Sequence, residues 1–218
     1  MPERLRRRPG LIETMRLRQG RVPLWELHRA RLERSARALG IVVPDELAPP
    51  VGGADRVCRL EVDARGRPFW SERKPGTPEH LRLRTCAVPH RGYRHKSTDR
   101  AWLDAARLEA AAAGADDALL VTENGLVAES SVWSVLWWED GRLCAPPLAL
   151  GVLPGVARER LAAVAGGITE QELPASKLAS RSPFLANAAR GVVFASEVDG
   201  HPVPAAEGTE RLRRAFWP

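Results

Sequence analysis

The chain has 218 residues, a net charge of +6 at neutral pH and an isoelectric point of about 10.0. Its 44% hydrophobic and 28% charged residues are ordinary values for a soluble globular protein and exclude a disordered chain, and no apolar run is long enough to cross a membrane. The three cysteines form no CxxC pair and have no histidine at metal-ligand spacing, so we expect reduced thiols in the cytoplasm and no metal site.

The first half of the chain predicts strands around one helix. "LIETMRLRQGRVPLWE" alternates apolar and polar residues, which predicts two short strands about a turn at Gln19-Gly20. Residues 25–40 follow a helical period that ends at Gly40. The residues spaced by three or four in this helix are Leu27, Ala30, Arg31, Arg34, Ala38 and Leu39. After a Pro/Gly-rich connection we expect a hairpin about Arg65-Gly66 and a strand in "HLRLRTCAV".

The second half begins after the basic loop "HRGYRHKSTDR", residues 90–100. "TDRAWLDAARLEAAAAG" predicts a helix from Thr98 to Gly114, with Thr98 or Asp99 as its N-cap. A second helix is expected from about Pro154 to Ala165, where a Pro-Gly pair opens it. The tail predicts a strand in "PFLANA" or "GVVFASEVDG" and a short C-terminal helix. This order of elements predicts an α+β fold with two small subdomains.

Lys96 is the first residue that indicates chemistry. It is one of three lysines in a chain with 30 arginines, and it stands inside the basic loop. A lysine can lose its proton and form an imine with a carbonyl, whereas an arginine can do neither. The neighbouring cations would favour the neutral amine of Lys96. They are Arg91, Arg94, His95 and Arg100. The alternative is an ordinary surface lysine.

Two further features suit a bound cofactor. Glu129 lies among apolar residues near the end of a predicted strand, where a carboxylate needs a partner. A protonated pyridine nitrogen would serve, and so would a nearby arginine. "LGVLPGVARERL" leads a Gly-containing turn into a helix, whose free N–H groups suit a phosphate, although many such turns bind nothing.

Five motifs in a fixed order carry a family resemblance: "LIETMR…LHRARLERSARALGI", "RHKSTDR", "NGLVAES", "APPLALGVLPGVAR" and "FLANAARGVV". They resemble the fold-type-IV pyridoxal-phosphate enzymes, the class-IV aminotransferases, over about residues 11 to 200. "LIETM", "HKSTDR" and "NAARG" are most similar to the 4-amino-4-deoxychorismate lyase branch. The resemblance implies a two-subdomain α+β fold like that of D-amino-acid aminotransferase, pyridoxal 5'-phosphate as cofactor, a small-molecule substrate and a homodimer. It also implies a shortened N-terminus, because the strands that usually precede "ETLR" are absent.

The resemblance also implies a division of the chain and roles for particular residues. We expect a small N-terminal α/β subdomain (1–88), an interdomain loop (89–95) and a larger cofactor-binding subdomain (96–218). Lys96 matches the lysine that bonds to the cofactor and then moves protons, and Glu129 matches the carboxylate paired with the pyridine nitrogen. The residues that match the phosphate-binding positions are Arg31, Val156, Ala157 and Ala188.

Several positions depart from the family pattern. Ala157 and Ala188 stand where a hydroxyl is usual, and each missing charge-assisted bond would be worth about 1.5–3 kcal/mol if unreplaced. Ser134 stands where the family often has Asn. Outside the pattern, Arg94 or Arg91 could hold a substrate carboxylate, the alternative being a solvent-exposed charge.

The expected activity is the conversion of 4-amino-4-deoxychorismate into 4-aminobenzoate and pyruvate, a step of folate biosynthesis. The alternative within the family is an aminotransferase for D- or branched-chain amino acids. That enzyme would need a pocket for a second keto acid, and the tyrosine that branched-chain enzymes often place after the lysine is absent, since Ala101 and Trp102 stand there.

A basic binding protein without catalysis is the least favoured alternative. The arginines are spread along the chain and mixed with acidic residues at helical spacing, which is typical of a solvated helix face. Aromatic residues make up 6% of the chain and do not alternate with basic residues as base-stacking surfaces require. We therefore expect neither a nucleic-acid nor a membrane partner.

Overall fold

The computed structural model describes residues 8–76 and 78–218, and the chain groups into two compact units. The first unit holds the chain up to Pro75 together with His95–Arg100, and the second holds Gly76–Arg94 and Ala101–Pro218. This grouping differs from the expected division, because the loop segment that carries Lys96 joins the N-terminal unit while residues 80–85 join the other.

The first unit is a three-stranded antiparallel sheet covered by one helix. Its elements are β1 (Leu11–Leu17), α1 (Trp25–Leu39), β2 (Arg56–Val62) and β3 (Pro68–Arg73), with strand order β1-β2-β3. Apolar side chains of β1, β2 and α1 form one core. The predicted helix and the predicted hairpin are confirmed, and Gly40 ends the helix in the left-handed conformation.

One local prediction in this unit is wrong. The residues after the Gln19-Gly20 turn form only a single bridge, Arg18 to Arg21, because the chain enters α1 directly and β1 pairs along its full length with β2 instead. The helix α1 itself forms as expected and turns one side toward the core. The buried residues of α1 are Trp25, His28, Arg31, Leu32, Ser35 and Ala36.

The second unit is a mixed sheet with three helices. Its strands are β4 (His80–Thr85), β5 (Asp117–Val121), β6 (Val127–Ser130), β7 (Ser134–Glu139), β8 (Arg142–Ala145), β9 (Thr169–Glu170), β10 (Phe184–Asn187), β11 (Gly191–Val198) and β12 (His201–Pro202). Its helices are α2 (Ala101–Ala112), α3 (Val156–Ala165) and α4 (Glu207–Ala215). The strand order is β6-β5-β4-β11-β10-β7-β8-β9, with β12 on β11, and β4 runs parallel to both of its neighbours.

Most predicted elements of this unit are present. The helix expected from Pro154 begins two residues later, and both candidate strands of the tail form and pair with each other as β10 and β11. The helix expected from Thr98 begins at Ala101, since the Thr98 hydroxyl accepts a hydrogen bond from the Gly10 N–H (2.9 Å). Among the described residues, no helix combines the length and the apolar character that a bilayer crossing needs.

Candidate active site

The backbone of β1 holds the lysine-bearing segment in place. The N–H of Ile12 donates to the carbonyl of Lys96 (2.8 Å), and the N–H of Thr98 donates to the carbonyl of Gly10 (2.9 Å). Leu11 and Ser97 form an antiparallel bridge between these two bonds. The Lys96 side chain is half-buried. The position of this lysine is therefore fixed by its main chain, although it lies in a loop.

A buried ion pair joins β1 to α1 beside that segment. Side chains alternate along a strand, so Glu13 shares the core face of β1 with its apolar neighbours. Arg31 donates from Nε to Glu13 Oε1 (2.9 Å) and from Nη2 to Glu13 Oε2, while His28 Nδ1 lies 2.6 Å from the same Oε2. All three side chains are at least 95% buried. One carboxylate thus satisfies two basic residues of the helix.

The charges of this cluster are set by opposing effects. Burial alone would raise the pKa of Glu13, but the charge of Arg31 and the hydrogen bonds from His28 and Arg31 outweigh it and lower the pKa from 4.5 to about 2. Burial lowers the pKa of His28, Glu13 opposes that shift, and the charges of Arg31 and Lys96 lower it further. Glu13 is therefore ionised and His28 neutral at neutral pH.

The neutral imidazole has a defined tautomer. An ionised carboxylate can only accept hydrogen bonds, so His28 carries its proton on Nδ1 and donates it to Glu13. Nε2 of His28 is buried and has no hydrogen-bond partner within residues 8–76 and 78–218. The influence of Lys96 on the pKa of His28 places the lysine charge within electrostatic range of this ring.

Arg31 was identified from the sequence, whereas its two partners were not. The sequence pattern predicted a solvated helix face around Arg31, but the residue is buried because Glu13 neutralises it. Glu13 occupies the Nε/Nη2 edge of the guanidinium, and the Nη1/Nη2 edge remains for an anion such as a phosphate. The sequence did contain one sign of this ion pair: Glu13 is a charged residue at a position of β1 where the alternation places the side chain in the core.

In the second unit, Glu129 has a histidine partner. It lies on β6, paired with Leu120 of β5, and is buried. His90 Nε2 lies 2.7 Å from Glu129 Oε1, and the Gly92 N–H donates to His90 Nδ1 (3.3 Å). The sequence predicted that this carboxylate needs a partner, and the partner in this unit comes from the start of the basic loop.

The N-terminus of α3 has the form of an anion cradle. Val156 and Ala157 are its first residues and both are buried. The first intrahelical bond runs from the Glu159 N–H to the carbonyl of Gly155 (3.0 Å), so the N–H groups before Glu159 lie outside the helical ladder. A Cβ on Gly155 would lie 2.7 Å from Ser134 Oγ, which places that hydroxyl at the beginning of the helix.

Ala188 lies in the turn between β10 and β11, and β10 packs against α3. The turn is held by Asn187, whose Oδ1 accepts hydrogen bonds from the N–H groups of Ala189 (3.1 Å) and Arg190 (2.9 Å). Arg91 and Arg94, in the loop of this unit, are exposed.

Each unit, taken by itself, holds residues whose chemistry suits a part of pyridoxal phosphate. The second unit supplies a buried carboxylate for a protonated ring nitrogen and a helix N-terminus for a phosphate. The first unit supplies a half-buried lysine and a buried arginine. Lys96 and Arg31 lie in the first unit, and Glu129, Val156, Ala157 and Ala188 lie in the second.

Comparisons with known proteins agree with this chemistry. Residues 66–198 match the sequence family described as amino-transferase class IV, more than half of the chain, and the protein belongs to this family. Enzymes of the family act on small molecules with pyridoxal phosphate as cofactor, so the resemblance found in the sequence, the α+β fold and the cofactor are confirmed. A search of curated proteins found no match.

Solved structures share the fold at low identity. A Legionella pneumophila protein named "putative 4-amino-4-deoxychorismate lyase" is 22% identical with a TM-score of 0.82, over 95% of this chain and 90% of that one. The branched-chain aminotransferase of Thermoproteus uzoniensis, solved with norvaline, is 22% identical with a TM-score of 0.85, over 95% and 84%. A hypothetical aminotransferase of Mycobacterium tuberculosis, bound to alpha-ketoglutarate and PMP, is 22% identical with a TM-score of 0.81, over 95% and 87%.

The substitution Glu13→Gln is expected to destabilise the protein in a pH-dependent way. At pH 7 it leaves Arg31 buried without a counter-charge, which costs about 3–5 kcal/mol of unfolding free energy. The folded-state pKa of Glu13 lies below its unfolded value of 4.5, so the wild-type advantage is complete above that pH and is lost as the pH falls toward about 2. Urea unfolding should show the gap between the two proteins shrinking by about 2 kcal/mol between pH 7 and pH 3.

The matched control is Glu33→Gln, which removes the exposed i,i+4 partner of Arg29 on the same helix. We expect it to change the unfolding free energy by about 0.5 kcal/mol or less at both pH values. A Glu13→Gln gap that stays constant with pH would mean that Glu13 titrates normally in the folded protein.

Proposed function

We propose that the protein is a pyridoxal-phosphate-dependent lyase that converts 4-amino-4-deoxychorismate into 4-aminobenzoate and pyruvate, a reaction of folate biosynthesis. The observation that carries the proposal is the placement of Lys96, whose carbonyl is bonded to β1 beside the buried Glu13–Arg31–His28 cluster. The elimination needs one base and one electron sink for a single substrate, and it needs no site for a second keto acid. The likeness to the Legionella pneumophila protein gives further support.

Lys96 is the proposed base. Its Nζ removes the proton from the ring carbon that bears the amine, and the C–O bond between the neighbouring ring carbon and the enolpyruvyl group then breaks. The ring becomes aromatic, and the enolpyruvate that leaves takes up a proton to become pyruvate, so no water or oxidant is consumed. Pyridoxal phosphate, when bound, supplies the electron sink for the charge left by the proton. Lys96 is half-buried, and its backbone is fixed by the hydrogen bond from Ile12, which holds this base in a defined place.

Glu129 is proposed to hold a proton on the ring nitrogen of the cofactor. Its burial and its hydrogen bond to His90 support a carboxylate of fixed orientation. Arg91 or Arg94 is proposed to attract the two carboxylates of the substrate, since both side chains are exposed cations of the loop that precedes Lys96.

The phosphate is proposed to bind at Arg31 and at the N–H groups of Val156 and Ala157. Ala157 and Ala188 offer no hydroxyl to the phosphate. Ser134 Oγ lies at the start of α3, where it fits because Gly155 has no side chain. A hydroxyl from β7 could therefore replace one of the two that the alanines lack.

A second candidate is an aminotransferase of the same family. It is favoured by the likeness to the Thermoproteus uzoniensis branched-chain aminotransferase, whose TM-score of 0.85 is the highest of the three named structures. Both candidates use the same lysine and the same cofactor, so the substrate decides between them.

We further propose a cytoplasmic homodimer. All three cysteines are buried free thiols, which suits a reducing compartment. Every residue of β3 is exposed, and its Phe69 is 54% and its Trp70 38% exposed, which is apolar surface of the kind that a subunit interface covers. Light scattering of the purified protein should give twice the mass of the chain, and a mass of one chain would contradict the dimer.

The purified protein should bind pyridoxal phosphate through Lys96. A lysine bonded to the cofactor aldehyde absorbs visible light, so the loaded protein should be yellow and Lys96→Ala should be colourless. Lys177→Ala is the matched control, because Lys177 lies on a short 3₁₀ turn outside the proposed site, and it should keep the band. A wild-type protein that stays colourless with added cofactor would refute both candidate enzymes.

The substrate test uses 4-amino-4-deoxychorismate without any keto acid. The lyase proposal predicts equal amounts of 4-aminobenzoate and pyruvate, and at least about a 1000-fold loss of rate in Lys96→Ala, because the base is removed. D-alanine or L-leucine with 2-oxoglutarate should give no amino transfer. Transfer to 2-oxoglutarate without release of 4-aminobenzoate would favour the aminotransferase.

A further inference from the structure

We propose that His90 is a positioning residue for Glu129: its neutral imidazole donates from Nε2 to one carboxylate oxygen and leaves the other oxygen, with the full negative charge, for the cofactor ring nitrogen. The inference rests on the proposed pairing of Glu129 with that nitrogen. It assigns a task to a residue of the basic loop that the proposed reaction does not otherwise use.

The tautomer of His90 follows from its two ring contacts. The Gly92 N–H points to Nδ1 (3.3 Å), and a backbone N–H can only donate, so Nδ1 is an acceptor without a proton. The proton of a neutral ring is then on Nε2, which lies 2.7 Å from Glu129 Oε1. A neutral donor does not cancel the carboxylate charge, whereas an imidazolium would.

The imidazole is held rigidly enough to orient its partner. Its side chain is 1% exposed, and its backbone N–H donates to the carbonyl of Val121 on β5 (2.7 Å). The ring packs edge-on against Trp102 of α2, with centroids 5.6 Å apart, and Tyr93 packs edge-on against the same indole. β5 also pairs with β6, so the strand that anchors His90 is the neighbour of the strand that carries Glu129.

The carboxylate of Glu129 is held at one oxygen by His90. The hydrogen bond is made to Oε1, and the Glu129 side chain is 9% exposed. A buried carboxylate with one oxygen held in place is already oriented. The cofactor ring nitrogen can then bind the other oxygen without the cost of immobilising the side chain. Loss of the Nε2–H should therefore weaken binding of the cofactor ring without removing any group that touches the cofactor.

Two substitutions distinguish the effect of the His90 hydrogen-bond donor from the effect of its aromatic ring. His90→Phe keeps an aromatic ring against Trp102 but has no N–H, and His90→Gln keeps a donor near the position of Nε2 but has no ring. The probe is pyridoxamine 5'-phosphate, which carries the same pyridine ring and phosphate but has no aldehyde for Lys96. Its dissociation constant is measured by fluorescence titration, and thermal unfolding of the cofactor-free proteins reports on folding.

We expect His90→Phe to raise the dissociation constant about tenfold, and His90→Gln to raise it by less than about threefold. In a Glu129→Gln background, His90→Phe should change it by less than about twofold, since the residue acts through Glu129. Equal effects of the two substitutions, no effect of either, or a full tenfold effect in the Glu129→Gln background would each overturn the inference. A wild-type protein that fails to bind the probe would instead count against the proposed function.

The position of the His90 proton can be read from the wild-type protein without cofactor. Nitrogen-15 spectra of the histidine rings at pH 8, where an ordinary imidazole is neutral, should show the proton of His90 on Nε2. Glu129→Gln should shift the His90 Nε2 signal and leave the other four histidines in place. A proton on Nδ1 would overturn the inference.

Discussion

A single buried carboxylate, Glu13, organises the N-terminal unit. It bonds to Arg31 and His28 of the helix, while the backbone next to it, at Ile12, bonds to Lys96. The strand therefore fixes the helix through its side chains and the lysine loop through its main chain. Because the charges of Glu13 and Arg31 cancel inside the core, an arginine can stay buried and still offer one edge of its guanidinium to an anion.

The C-terminal unit also contains a buried carboxylate that is held by a neighbouring side chain. Glu129 is a buried carboxylate held by one neutral histidine, and α3 begins with N–H groups outside the helical ladder. In each unit the group that would meet a charged part of the cofactor is oriented by a partner within the same unit. Such prior orientation lowers the free energy needed to bind and to polarise a cofactor.

The sequence predicted most elements, because their signals are local. The helix ending at Gly40, the hairpin around Gly66 and the helix after the Pro-Gly pair each have a turn or cap residue that acts within a few positions. The partner of β1 was mispredicted, since it depends on residues such as Cys58 that are distant in sequence. Periodicity cannot show that an arginine on an apparently solvated face has a buried partner on a strand.

The sequence pointed to some residues of the candidate site and not to others. Lys96 and Glu129 stand out as residue types that are unusual for their surroundings, and motif order assigned their roles. Glu13, His28 and His90 went unassigned, because a positioning residue is recognised by what it contacts and not by its spacing. The His90–Glu129 bond joins residues 39 positions apart, which no local pattern reports.

We propose that Lys96 is the lysine that carries the cofactor. Loading the protein with pyridoxal phosphate, reducing it with borohydride and mapping the modified peptide by mass spectrometry tests this assignment. A phosphopyridoxyl group is expected on Lys96 and on neither Lys74 nor Lys177, the other two lysines of the chain. Modification of either of those residues in place of Lys96, or of none of the three, would contradict it.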